Sequence, residues 1–161
     1  EFNLVGFDGD GSGIAALLGG HVDGMPISMM GAGTVDLIKT GKLRALAVIY
    51  DKRVEQLPDV PAITEVYPEF AKSLPIGHFY GAFVKKGTPG EIVTKLRDAY
   101  MTAVKDPQFM DFIQRLNGIP LALSGEEAGE FLRKNQSNVA WLLQDAGVTK
   151  ASPADFGIAK P

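Results

Sequence analysis

The feature that most constrains this chain is its opening, where the apolar residues Leu4, Val5 and Phe7 break into Asp8-Gly9-Asp10-Gly11-Ser12-Gly13 and then into Ile14-Ala15-Ala16-Leu17-Leu18. An apolar run, a glycine loop and a small-residue helical pattern read as strand, turn and helix. Glycine lets backbone N–H groups approach a ligand closely, and the first turn of a helix carries unpaired donors with partial positive charge, so such a junction favours an anion. A tight βα turn with no ligand satisfies the same pattern, so the rest of the chain must decide.

The pattern repeats. Strands are expected over 3–8, 22–28 and 43–49, with helices over 13–19 and 32–40, and Lys39-Thr40-Gly41-Lys42 stops the second helix. Two strands separated by one helix imply a right-handed crossover and parallel pairing, hence an α/β sheet. Pro58, Pro61, Pro68 and Pro75 then limit the segment 51–75 to one short helix near 61–66. Gly77-His78-Phe79-Tyr80-Gly81-Ala82-Phe83-Val84 reads as an aromatic strand.

Beyond that strand the periodicity is helical. Thr88-Pro89-Gly90-Glu91 and Ser124-Gly125-Glu126-Glu127 both read as capping boxes. The first opens a helix to about Lys105, with Ile92, Val93, Leu96, Ala99, Tyr100, Ala103 and Val104 on one face; the second opens a helix to about Ala146, stopped by Gly147. Asp106-Pro107 starts a helix between them, and a brief strand is expected over 119–123.

Composition excludes several functions. The 161 residues are 45% hydrophobic with a net charge of −3 and scattered basic residues, so nothing invites nucleic acid or an anionic membrane surface. No apolar run approaches the roughly 18 residues of a membrane span, and no signal-peptide pattern opens the chain. There is no cysteine for a thiolate site or nucleophile, and His21 and His78 are too few for a histidine-rich metal centre. Gly11-Ser12-Gly13 is not a nucleophile elbow, and the glycines fit neither a Walker loop nor a dinucleotide fingerprint. The pairs Asp8 with Asp10 and Asp51 with Asp59 lack a burying environment for acid–base work, and Met25, Met29 and Met30 read first as core filler. No catalytic residue, metal or cofactor is expected.

What survives is a second glycine-rich junction, Ser28-Met29-Met30-Gly31-Ala32-Gly33-Thr34, on a neighbouring strand. Two helix N-termini at the carboxyl ends of adjacent parallel strands form one crevice, where open α/β sheets bind ligands. With Ser12 and Ser28 as hydroxyls and no cation in either junction, the crevice suits a carboxylate held by neutral donors.

The succession Gly9-Asp10-Gly11-Ser12-Gly13, Ala16-Leu17-Leu18-Gly19-Gly20-His21-Val22-Asp23, Gly41-Lys42-Leu43-Arg44-Ala45-Leu46-Ala47-Val48, and Leu57-Pro58-Asp59-Val60-Pro61 resembles the substrate-binding receptors of tripartite tricarboxylate transporters, the Bug family. The match continues through Phe79-Tyr80-Gly81, Gly87-Thr88-Pro89 and Gly118. The resemblance implies a type II periplasmic binding-protein fold of about twice this length. In it residues 1–76 form part of the second, α/β lobe, and 77–161 supply the crossing strand and the helices returning to the first lobe. It implies a small di- or tricarboxylate ligand held by Gly11, Ser12, Gly13, Ser28, Met29, Met30 and Gly31, a periplasmic location, and membrane components of the transporter as partners. Ala62, Tyr67 and Phe79 depart from the family's usual threonine, glycine and tryptophan, and the last two bear on ligand choice. A ligand-sensing domain of a regulator and an α/β enzyme are the alternatives, the first lacking a helix-turn-helix and the second a nucleophile–base pair. An incomplete lobe would also leave apolar faces on 78–84 and the helix from Pro89 that promote self-association.

Overall fold

The computed structural model describes residues 3–31 and 33–161. It is helical: α1 spans Asp10–Leu18, α2 Thr34–Lys39, α3 Ile63–Val66, α4 Gly90–Ala103, α5 Pro107–Arg115 and α6 Gly125–Asp145, with 3₁₀ turns at Pro68–Ser73 and Pro153–Phe156. The expected parallel sheet is absent among the described residues. Among the described residues the β-structure is one isolated parallel bridge, Val48 to Ala62.

The physical reason lies in pairing. Apolar alternation favours an extended backbone, but a strand exists only when a second one takes its N–H and C=O groups. Segments 3–8, 22–28, 77–84 and 119–123 find no ladder partner among the described residues, and several of their large side chains stay in solvent: Leu4 is 83% exposed and Tyr80 81%. Segment 43–49 pairs with 61–63 instead of 22–28: the Val48 N–H donates to the Pro61 carbonyl and the Ile63 N–H to the Val48 carbonyl. Pro61 and Pro58 have no N–H to donate, which stops that bridge from growing into a ladder.

Helices fall close to their expected places, with different caps. α1 begins at Asp10 rather than residue 13, its acidic first turn complementing the helix dipole. Of the expected helix 32–40, Ala32 lies outside the described residues and the remainder forms α2 from Thr34. Neither expected capping box forms: Thr88 Oγ1 donates to the Lys85 carbonyl, and Ser124 makes no side-chain cap bond. The working caps are Asp106, whose Oδ1 accepts from the N–H groups of Gln108 and Phe109, and Ser152, whose Oγ accepts from Ala154. Gly20 and Gly41, at φ 72° and 73°, end α1 and α2 in the left-handed conformation that glycine alone adopts cheaply.

The chain divides into two compact units, residues 1–45 with 111–119, and 46–110 with 120–161. In the first, Ile14, Thr34 and Val35 are buried. In the second, Val48, Val54, Leu57, Ala62, Leu74 and Val104 form the core, each of the larger aliphatics contributing about 1.5–3 kcal/mol by leaving water. α6 organises this unit. Its residues Phe131, Asn135 and Asn138 lie on one stripe: Phe131 meets Phe79 edge to face, and the two amides donate to the carbonyls of Gly77 and Pro75. A second stripe, Ser137, Trp141 and Asp145, holds the segment 158–160 through the carbonyls of Ala159 and Ile158 and the ammonium of Lys160. The apolar face of α4 is not buried; Ile92 and Leu96 remain about half exposed.

Candidate functional site

All seven expected ligand residues lie in the first unit. Gly11 and Ser12 are exposed in the first turn of α1. The N–H of Gly13 donates to the Gly9 carbonyl at 3.3 Å, while those of Gly11 and Ser12, at positions where a helix offers no internal acceptor, remain as donors. The Ser12 hydroxyl turns back to the same Gly9 carbonyl, 3.0 Å away, and so braces the turn.

Gly13 has a packing role here. It is buried, and a Cβ at this position would lie 2.5 Å from Met25 Cε and 3.0 Å from Met25 Sδ. A side chain would displace the methionine that closes over α1.

Residues 28–31 are half-buried and form a braced loop. Ser28 Oγ accepts from the Met30 N–H at 3.2 Å, leaving the hydroxyl proton available to a ligand. The Gly31 carbonyl takes both the N–H and the hydroxyl of Thr34, at 3.0 and 2.8 Å, which fixes the loop against the start of α2. Met30 also packs near Gly118, where a Cβ would come 3.3 Å from Met30 Cε.

The two junctions meet at Asp10. A Cβ on Gly31 would lie 3.7 Å from Asp10 Oδ2, in ordinary van der Waals contact, so the carboxylate of the first junction stands over the backbone of the second. The sequence shows Asp10 only as one of several loop acids. Its position facing Gly31 is a tertiary fact with no local signature.

Other chemistry is sparse. Among the described residues no group of three or more His, Cys, Asp or Glu side chains could hold a metal ion, and no helix is long and apolar enough to cross a membrane. In the second unit, Arg53 grips Glu65 through Nε and Nη2 at 2.9 Å, and Glu65 also accepts from the Ala62 N–H. These hydrogen bonds from Arg53 and Ala62 hold the Glu65 carboxyl below the usual glutamate range. This clasp closes the loop 53–65 on itself. A cavity of about 160 Å³ beside α6 is lined by Lys72, Asn138, Trp141, Asp145 and Lys160. There Lys160 lies over the Trp141 ring at 5.1 Å and pairs with Asp145.

The two glycine-rich junctions that the sequence singles out thus share one unit. Comparison with known proteins decides the family. The model of the tripartite tricarboxylate transporter family receptor matches residues 1–148. The chain belongs to that family.

Among relatives of the family, a UPF0065 protein in the gbd 5′ region of Cupriavidus necator is 26% identical over 151 residues, 94% of this chain and 44% of that protein. A UPF0065 protein in the TAR-I ttuE-ttuC′ intergenic region of Agrobacterium vitis is 30% identical over 122 residues, 76% of this chain and 34% of that protein. Protein BugT of Bordetella pertussis is 26% identical over 150 residues, 90% of this chain and 43% of that protein. The chain thus spans less than half the length of these relatives. No solved structure matches it.

Proposed function

We propose that this chain is part of a solute-binding receptor that captures a small di- or tricarboxylate in the periplasm and delivers it to the membrane components of a tripartite transporter, without chemistry on the ligand. The family match over residues 1–148 carries the reading. The site geometry supports it. The N–H groups of Gly11 and Ser12 at the positive end of α1, the Ser28 hydroxyl, and the braced backbone of Met29, Met30 and Gly31 would supply neutral donors. Gly13 and Ser12 Oγ would contribute by shaping the turn.

Calorimetric titration of the protein with succinate and citrate tests this. Binding of either acid is expected, weakened by about 1–3 kcal/mol in Ser28→Ala and left nearly unchanged in Ser12→Ala. Absence of heat with both acids at millimolar concentration, or identical affinities in parent and Ser28→Ala, would overturn the proposed site. Product formation after long incubation, followed by NMR, would overturn the absence of chemistry.

A further inference from the structure

We infer that Asp10 selects among carboxylic acids, favouring a ligand that carries a hydrogen-bond donor, ammonium or hydroxyl, beside its carboxylate. The inference rests on the reading of residues 11–13 and 28–31 as the ligand loops.

The observation is positional. Asp10 is half-buried at the first position of α1, next in the chain to Gly11 and Ser12, and its Oδ2 would lie 3.7 Å from a Cβ on Gly31 in the second loop. The candidate donors of both loops attract an anion. A carboxylate among them opposes it, because like charges about 5 Å apart repel appreciably even at a protein-surface dielectric. A plain dicarboxylate would therefore meet the Gly11 and Ser12 N–H groups on one side and the Asp10 carboxylate on the other. A ligand with an ammonium or hydroxyl next to its carboxylate turns that opposition into a charge-assisted hydrogen bond, while its carboxylate keeps the backbone donors. Specificity then arises from a repulsive element that only the matching ligand converts into attraction.

Gly31 completes the arrangement. A side chain there would sit in contact with Asp10 Oδ2 and shield it from a ligand, so the missing Cβ leaves the carboxylate open toward the second loop.

Succinate, malate and aspartate form a matched series, differing only in hydrogen, hydroxyl or ammonium at one carbon. Calorimetry on the intact protein should rank aspartate and malate at least about tenfold tighter than succinate. In Asp10→Asn and Asp10→Ser the ranking should collapse to within about threefold, chiefly because succinate binds better. Two variants are used so that one failing to fold, judged by circular dichroism, leaves the other. Aspartate and malate separate the two donor chemistries: aspartate ahead points to charge, equality to hydrogen bonding, and either supports the inference. All three acids binding with a ranking unchanged in the variants would overturn the role of Asp10 and leave the loops as the site. No binding by any of the three would overturn the loop reading and the inference with it.

Discussion

Replacing Asn138 with aspartate is the sharpest probe of the second unit, because the two side chains have the same shape and opposite capacity to donate. Asn138 is 2% exposed, and its amide donates to the Pro75 carbonyl at 3.2 Å, while its own Oδ1 is buried without a partner. An ionised aspartate there would face a carbonyl with no proton between them. The cheaper state is a protonated carboxyl, whose O–H restores the bond to Pro75, and holding a carboxyl protonated at neutral pH costs about 1.4 kcal/mol per pH unit above its ordinary pKa near 4, or about 4 kcal/mol. The sign is that of a folded-state pKa raised above the unfolded value. The variant's stability is therefore closest to the parent's near pH 4 and falls as pH rises, until the folded protein gives up the proton. Urea unfolding followed by circular dichroism from about pH 4 to about pH 8 measures the difference. Asn138→Leu is the companion. It forfeits a bond worth about 1 kcal/mol but also removes the orphan oxygen, so it should lie within about 1 kcal/mol of the parent at every pH. An aspartate variant that loses less than about 1 kcal/mol at neutral pH, or loses the same amount at all pH values, would show that water reaches this position and would refute the reasoning.

Other outcomes follow from the same geometry. Carboxyl NMR titration should find Glu65 below the ordinary glutamate range and Arg53→Met should return it toward that range, so the clasp's contribution is lost only when pH falls through the depressed value. Gly41→Ala places a Cβ at φ 73° and should destabilise by about 1–2 kcal/mol in thermal unfolding, with Gly41→Asn milder. Gly13→Val should lower the melting temperature by displacing Met25, whereas Gly11→Ala, with nothing within 4 Å of its Cβ, should leave it unchanged. With Leu46, Tyr80 and Phe83 each at least 70% exposed, sedimentation velocity should show concentration-dependent self-association, and substituting Tyr80 and Phe83 by serine should reduce it.

How far the fold was legible depends on whether its signals are local. Helix existence is local: the periodicity of residues 125–145, the stop at Gly147 and the Asp106-Pro107 start are written within a few residues, and α6 and α5 stand where they were expected. Caps are less so, since Thr88 and Ser124 had the right neighbours, yet Pro89 rather than Thr88 takes the cap position of α4 and Ser124 makes no side-chain cap bond. Sheets are not local at all. The alternation in 3–8 and 43–49 specifies a backbone that prefers to extend, but pairing depends on a distant segment with free N–H groups, and the one segment that Val48 met carries Pro61. A buried amide such as Asn138, on the same stripe of α6 as Phe131 and Asn135, was equally hidden, because polar residues on a helix read as solvent-facing until the chain they hold is known.

The candidate site divides along the same line. That Gly11, Ser12 and Ser28 belong to glycine-rich junctions is plain from composition, and the placement of both junctions in one unit agrees with their short separation in the chain. What the sequence could not assign is the task of each atom. Gly13 reads as a gap for a ligand, and in the structure it also admits Met25; the Ser12 hydroxyl reads as a donor to a ligand, and in the structure it donates to the Gly9 carbonyl of its own turn. Both double roles share a cause: a glycine or a serine at a helix start serves backbone geometry and ligand approach with the same residue types. Asp10 is the converse, an acid that reads as solvent-facing and stands over Gly31. If the proposed site is right, the donors that the turns themselves do not use are two N–H groups at α1 and those of the 28–31 loop, and a site with so few neutral donors would depend strongly on whatever charge stands beside them.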